Sequence, residues 1–101
     1  MKGPIENIAV IGTGVIGAGW IIRFLFNQKT ICVYDPQLKQ KKFLENEIKR
    51  AKPILKKIYK KNINLSKQLK FCKSIQEAVK NADLIQENAP ENGILKIKIV
   101  K

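Results

Sequence analysis

The sequence predicts an α/β fold, a doubly wound parallel sheet with helices on both faces. Three observations predict it. Short β-branched runs alternate with longer helical stretches along the chain, as parallel strands joined by right-handed crossovers do. The first run gives way to a glycine-rich turn and then to an apolar helix. An acidic residue, Asp35, closes the second run.

The elements follow in order. Ile5 to Ile11 is β-branched and apolar and ends at Gly12, as a buried parallel strand reads. Val15 to Phe26 is apolar nearly all round, interrupted by Arg23, so a helix covered on most sides is expected. Asn27, Gln28 and Lys29 make a turn, and Thr30 to Tyr34 reads as a second strand closed by Asp35-Pro36. From Gln37 to about Lys61, Leu44, Ile48, Ala51, Leu55 and Ile58 draw one apolar stripe of a helix with lysines on the rest. Pro53 lies inside that stripe and is expected to kink or split the helix. Asn62 to Ser66 reads as loop and Leu69 to Cys72 as a short third strand. Ser74-Ile75-Gln76-Glu77 is a capping box opening a helix to Lys80. Asp83 to Gln86 reads as a fourth strand, with Glu87 and Asn88 at its end, at the mouth of the crevice beside the glycine-rich turn. Pro90-Glu91 then suggests a helix running toward Lys101.

With 101 residues and 45% apolar composition, the chain makes one domain with one core. The net charge is +12, yet eighteen of the twenty basic residues are lysines scattered from Lys2 to Lys101. Nucleic-acid sites concentrate arginine, aromatics or a compact basic stripe, and none of these is present. No specific nucleic-acid partner is expected. Cys32 and Cys72 make no C-x-x-C pair, and without histidine they supply at most half of a metal site, so no metal is expected. The N-terminus lacks the pattern of a secretory signal, and Val15 to Ile22 is too short to span a bilayer. A soluble cytoplasmic protein without a membrane partner is the expectation.

The chemistry concentrates in Gly12-Thr13-Gly14-Val15-Ile16-Gly17. G-x-G-x-x-G is weak by itself, but here it follows a strand, opens a helix, and precedes an acidic residue at the end of the next strand. That is the context of the Rossmann dinucleotide fingerprint. Gly12 allows the tight turn, Gly14 lets a pyrophosphate approach the backbone, and Gly17 lets the helix pack close to the sheet. The first helical amides and the helix dipole favour the phosphates. Asp35, 23 residues after Gly12, suits the carboxylate that takes the ribose 2′-hydroxyl and repels a 2′-phosphate. NAD is therefore favoured over NADP. Asp35 also reads as a simple helix cap, with Lys39, Lys41 and Lys42 nearby to blunt the discrimination. Glu91 reads equally as dipole complementation in a first helical turn. In the Rossmann strand order 3-2-1-4, the ligand crevice opens at the carboxyl ends of strands 1 and 4.

The stretches IAVIGTGVIGAGW, VYDP, Arg50-Ala51-Lys52-Pro53-Ile54-Leu55 and ADLIQENAPE resemble the NAD-binding domain of the 3-hydroxyacyl-CoA dehydrogenase superfamily, and most closely its L-carnitine dehydrogenase branch. The resemblance covers essentially the whole chain. It implies NAD contacts at Gly12, Thr13, Gly14, Val15, Ile16, Gly17, Asp35, Glu91 and Lys96. Family members continue into strands that carry a serine, a histidine–glutamate pair and an asparagine, then into a helical domain. None of these is present here, so no catalytic residue is assigned, and residues 1–101 read as an incomplete Rossmann domain. Where acyl-CoA members use a serine and a lysine on the long helix, the positions fall about Ala51 and Ile58 here, with Lys57 adjacent. That tilts the substrate slightly away from CoA esters. The expected function is the NAD-holding portion of a dehydrogenase acting on a 3-hydroxy acid derivative, with a small-molecule substrate and a homodimer for the complete enzyme. A stand-alone nucleotide-binding module or a non-catalytic remnant is the alternative.

Overall fold

A computed structural model describes residues 4–60, 62–89 and 94–100. Five strands form one sheet in the order β3-β2-β1-β4-β5. They are β1 (Asn7–Ile11), β2 (Thr30–Tyr34), β3 (Leu69–Phe71), β4 (Leu84–Ala89) and β5 (Ile94–Ile99). β1 pairs in parallel with β2 and β4, and β2 with β3. The helices are α1 (Gly14–Phe26), α2 (Lys39–Tyr59), α3 (Leu65–Gln68) and α4 (Ile75–Val79). Strand order 3-2-1-4 stands as the sequence predicts.

The two faces of the sheet are covered differently, and alternation along the strands decides which residue faces which layer. Ile8 and Val10 of β1 and Ile31 and Val33 of β2 are buried in one core with Ile21, Leu25 and Phe26 of α1 and Leu44 and Ile48 of α2. Each such residue contributes roughly 1.5–3 kcal/mol by leaving water. On the opposite face, Ala9 is completely buried, as is Ala78 of α4 but for a trace, and α4 packs on β1 and β2. The layers are therefore helix, sheet, helix.

Several expectations need correction. Residues Ile94–Ile99 form a strand, not a helix, and it is antiparallel to β4. Its residues explain why: Lys96, Ile97, Lys98 and Ile99 alternate with a period of two, which a strand satisfies and a helix does not. The expected helix start at Pro90-Glu91 lies outside the described residues. Segment 62–66 is not all loop, because α3 begins at Leu65. Its single turn is held locally. Lys67 and Gln68 donate backbone N–H to the Asn64 carbonyl, while the Gln68 carboxamide accepts from Asn64 N–H at 2.7 Å. A helix of four residues is too short for periodicity to mark. Pro53 does not split α2, which runs unbroken from Lys39 to Tyr59. Pro53 is exposed, so water reaches the carbonyl that loses its N–H partner. β4 extends three residues past Gln86, through Glu87 and Asn88 to Ala89.

Candidate functional site

β1 ends at Ile11, and the chain turns through Gly12 and Thr13 into α1. Gly12 sits at φ +84° and Gly14 at φ +64°, a region that side chains strain to reach. The three fingerprint glycines meet three different surroundings. A Cβ on Gly12 would lie 2.7 Å from the backbone oxygen of Asn88. A Cβ on Gly17 would lie 2.8 Å from the Asn88 Nδ2 and 2.9 Å from the Gly12 oxygen. Gly14 faces open space, with nothing within 4 Å of that position. Two glycines thus serve packing inside the turn, and the third keeps the outer side of the turn clear.

Asn88 ends the fourth strand beside the glycine turn, as expected, but its bond to that turn was not expected. It stands on β4, whose neighbour is β1, and its Nδ2 donates to the Gly12 carbonyl at 2.8 Å. That bond turns the Gly12 oxygen inward. The contact spans 76 positions of sequence, so no local pattern announces it.

Asp35 follows β2 directly, and its carboxylate is brought onto the glycine turn. Oδ2 accepts from the Thr13 N–H at 2.8 Å, and Oδ1 accepts from the Gln37 N–H at 2.8 Å. Asp35 thus bonds the fingerprint backbone and the Gln37 N–H ahead of α2, while α2 itself, which begins at Lys39, has no side-chain cap. An ionised carboxylate has about four acceptor positions, so two bonds leave capacity for hydroxyl donors. Gln40, in the first turn of α2, places its Oε1 3.3 Å from the Gly14 N–H. Val15 and Ile16, the next residues of α1, are exposed, and first-turn amides have no partner within their own helix. Thr13 itself supplies no side-chain cap to α1, so the amides after Gly14 are the ones open to an anion.

The structure gathers Gly12, Thr13, Gly14, Val15, Ile16, Gly17 and Asp35 at the carboxyl ends of β1 and β2. It does not gather Lys96 with them. Lys96 lies on β5 opposite Glu87, and alternation puts both on the sheet face away from Asn88 and α1. Glu91 lies outside the described residues. A cleft of about 510 Å³ between α2 and β3, floored by Ile48, Leu69 and Phe71, contains none of these residues. Cys32 and Cys72 are both free. Burial first, and then the neighbouring Cys32, push the Cys72 thiol up to about 11, which favours its protonated form at neutral pH. No group of acidic, cysteine or histidine side chains among the described residues could hold a metal.

Residues 7–101 match the family described as 3-hydroxyacyl-CoA dehydrogenase, NAD binding domain. The chain belongs to that family. Its cofactor is NAD, and the open outer side of Gly14 fits a ligand that needs close approach to backbone. Among curated relatives it is 43% identical to an L-carnitine dehydrogenase of Oceanobacillus iheyensis over 95% of this chain and 31% of that protein. It is 36% identical to an L-carnitine dehydrogenase of Mesorhizobium japonicum over 95% of this chain and 26% of that one. The chain thus spans less than a third of these relatives' length. Among solved structures, 5-formyl-3-hydroxy-2-methylpyridine 4-carboxylic acid 5-dehydrogenase, titled an NAD+-dependent dismutase, aligns with a TM-score of 0.72 at 30% identity. The alignment covers 88% of this chain and 29% of that one. No helix among the described residues is long and apolar enough to cross a membrane.

Proposed function

We propose that this chain is the cofactor-holding portion of an NAD-dependent dehydrogenase that oxidises a 3-hydroxy acid derivative, L-carnitine or a 3-hydroxyacyl-CoA. The observation that carries the reading is the Asp35 carboxylate bonded at 2.8 Å to the Thr13 N–H of the glycine turn. It fixes an acceptor for the adenosine ribose next to the amides that would take the pyrophosphate. Gly12 to Gly17 and Asp35 hold the adenosine and pyrophosphate half, with Glu91 and Lys96 as further contacts implied by the resemblance alone. NAD supplies the hydride acceptor. The acid–base groups belong to parts of the enzyme that these residues do not include. A small-molecule substrate, a homodimer and a cytoplasmic location belong to the same proposal.

The alternative reading is a stand-alone nucleotide-binding module with no redox chemistry of its own. Assay of the natural polypeptide carrying this chain separates the two. NADH formation at 340 nm from L-carnitine or a 3-hydroxyacyl-CoA supports the dehydrogenase, and NAD binding without turnover supports the module.

Calorimetric titration with NAD and NADP tests the role of Asp35. The parent should bind NAD about tenfold or more tightly, because Asp35 repels a 2′-phosphate. Asp35→Ala should narrow that gap, and a parent that prefers NADP would refute the assignment.

A further inference from the structure

Beneath the glycine turn, β4 carries two carboxamides, Gln86 and Asn88, two residues apart and so on one face of the strand. Asn88 touches the turn; Gln86 lies deeper, level with Val10 of β1. Gln86 is completely buried, and neither its Oε1 nor its Nε2 has a hydrogen-bond partner. The Asn88 Oδ1 is likewise buried and unpartnered. Buried polar side-chain atoms are nearly always partnered, so three without partners on two side chains of one strand face call for an explanation. The core residues of β1 and α1 on that face, Val10, Ala18 and Ile21 among them, are apolar.

The orientation of Asn88 is fixed. Its Nδ2 donates to the Gly12 carbonyl, and turning the amide over would set two acceptor oxygens against each other. The three atoms therefore comprise two acceptors, Oδ1 and Oε1, and one donor, Nε2. An anion cannot donate to the oxygens, and a cation cannot accept from the nitrogen. A direct Nε2–H···Oδ1 bond would still leave Oε1 unpaired. A water molecule donates twice and accepts once, and it meets all three needs.

We propose that a buried water joins Gln86 to Asn88, and that Gln86 is through it a positioning residue for the NAD site. The inference rests on NAD lying against the glycine turn. Gln86 touches no cofactor atom. It acts through Asn88, which holds the Gly12 carbonyl inward and abuts Gly17, and so keeps the amides of the turn facing the phosphates.

Two measurements test it. In the 15N-labelled parent, the side-chain NH2 protons of Gln86 should show cross-peaks to a long-lived water. Their absence would overturn the proposal, whatever any variant does. Gln86→Met keeps the length and removes the polar atoms. It should lower the melting temperature of the apo chain modestly, because the buried Asn88 Oδ1 loses its bridge while the Gln86 polar atoms no longer need one. NAD affinity should fall about three- to tenfold, the worth of one lost supporting hydrogen bond. Unchanged affinity, with or without a melting shift, would reduce Gln86 to a structural residue and overturn the positioning role. If the water is seen but the parent itself fails to bind NAD, the cofactor reading fails and the positioning role falls with it.

Discussion

Gly17 and Gly14 carry the same residue type for opposite physical reasons. A Cβ at Gly17 meets the Asn88 Nδ2 and the Gly12 oxygen below 3.0 Å, and the oxygen belongs to backbone that cannot swing away. Gly17→Ala should therefore push α1 off the sheet and cost about 1–3 kcal/mol of stability, the usual toll of overpacking. Chemical denaturation monitored by Trp20 fluorescence measures it, and an unchanged midpoint would show that the helix gives way freely. The glycines and Asp35 were readable because a strand, a tight turn and a helix start leave local marks in sequence. Asn88 and Gln86 were not. Both are polar residues in a strand, and their meaning depends on what lies across the sheet. Asp83 is similar: it read as the start of a strand, yet it is buried and its Oδ2 accepts from the Glu6 and Asn7 N–H groups at the beginning of β1.

Local chemistry decides the small elements. The S-x-x-E pattern at α4 is realised, with Ser74 Oγ accepting from the Glu77 N–H at 3.1 Å. The reciprocal bond differs by one residue, since the Glu77 carboxylate accepts from Lys73 N–H rather than from Ser74. That bond, followed by the Lys70 ammonium 3.2 Å away, holds the Glu77 carboxyl below its ordinary range. Ser74→Ala should cost about 1 kcal/mol, read as a drop in melting temperature at pH 7. No drop would mean that α4 is held by the burial of Ala78 alone. α2 was legible from its stripe of Leu44 and Ile48, which are its two buried residues. β5 was misread because the acidic start after Pro90 outweighed the alternation that follows it. Short elements set by one or two hydrogen bonds, such as α3, lie below what periodicity resolves.

For the whole molecule, the order of β1 to β4 was legible because crossover handedness and the switch point leave few arrangements for alternating strands and helices. The fifth strand was not, since an antiparallel edge follows no crossover rule. The seven lysines of α2 and Lys96 and Lys98 of β5 are exposed and take no part in the core. The sheet brings the ends of β1, β2 and β4 together, so that one turn, one carboxylate and one carboxamide meet from three distant parts of the chain. Gly14 is where that assembly is most exposed to test. Its outer side is empty and its φ is positive, so a side chain there costs roughly 1–2 kcal/mol of backbone strain and otherwise harms only what docks against the turn. NAD titration of the parent and of Gly14→Val, beside the apo melting temperatures, is the most direct measurement. Saturable NAD binding by the parent, a modest melting shift in the variant and a roughly tenfold or larger loss of affinity are expected. Equal NAD affinity in parent and Gly14→Val would contradict recognition of the cofactor by this turn.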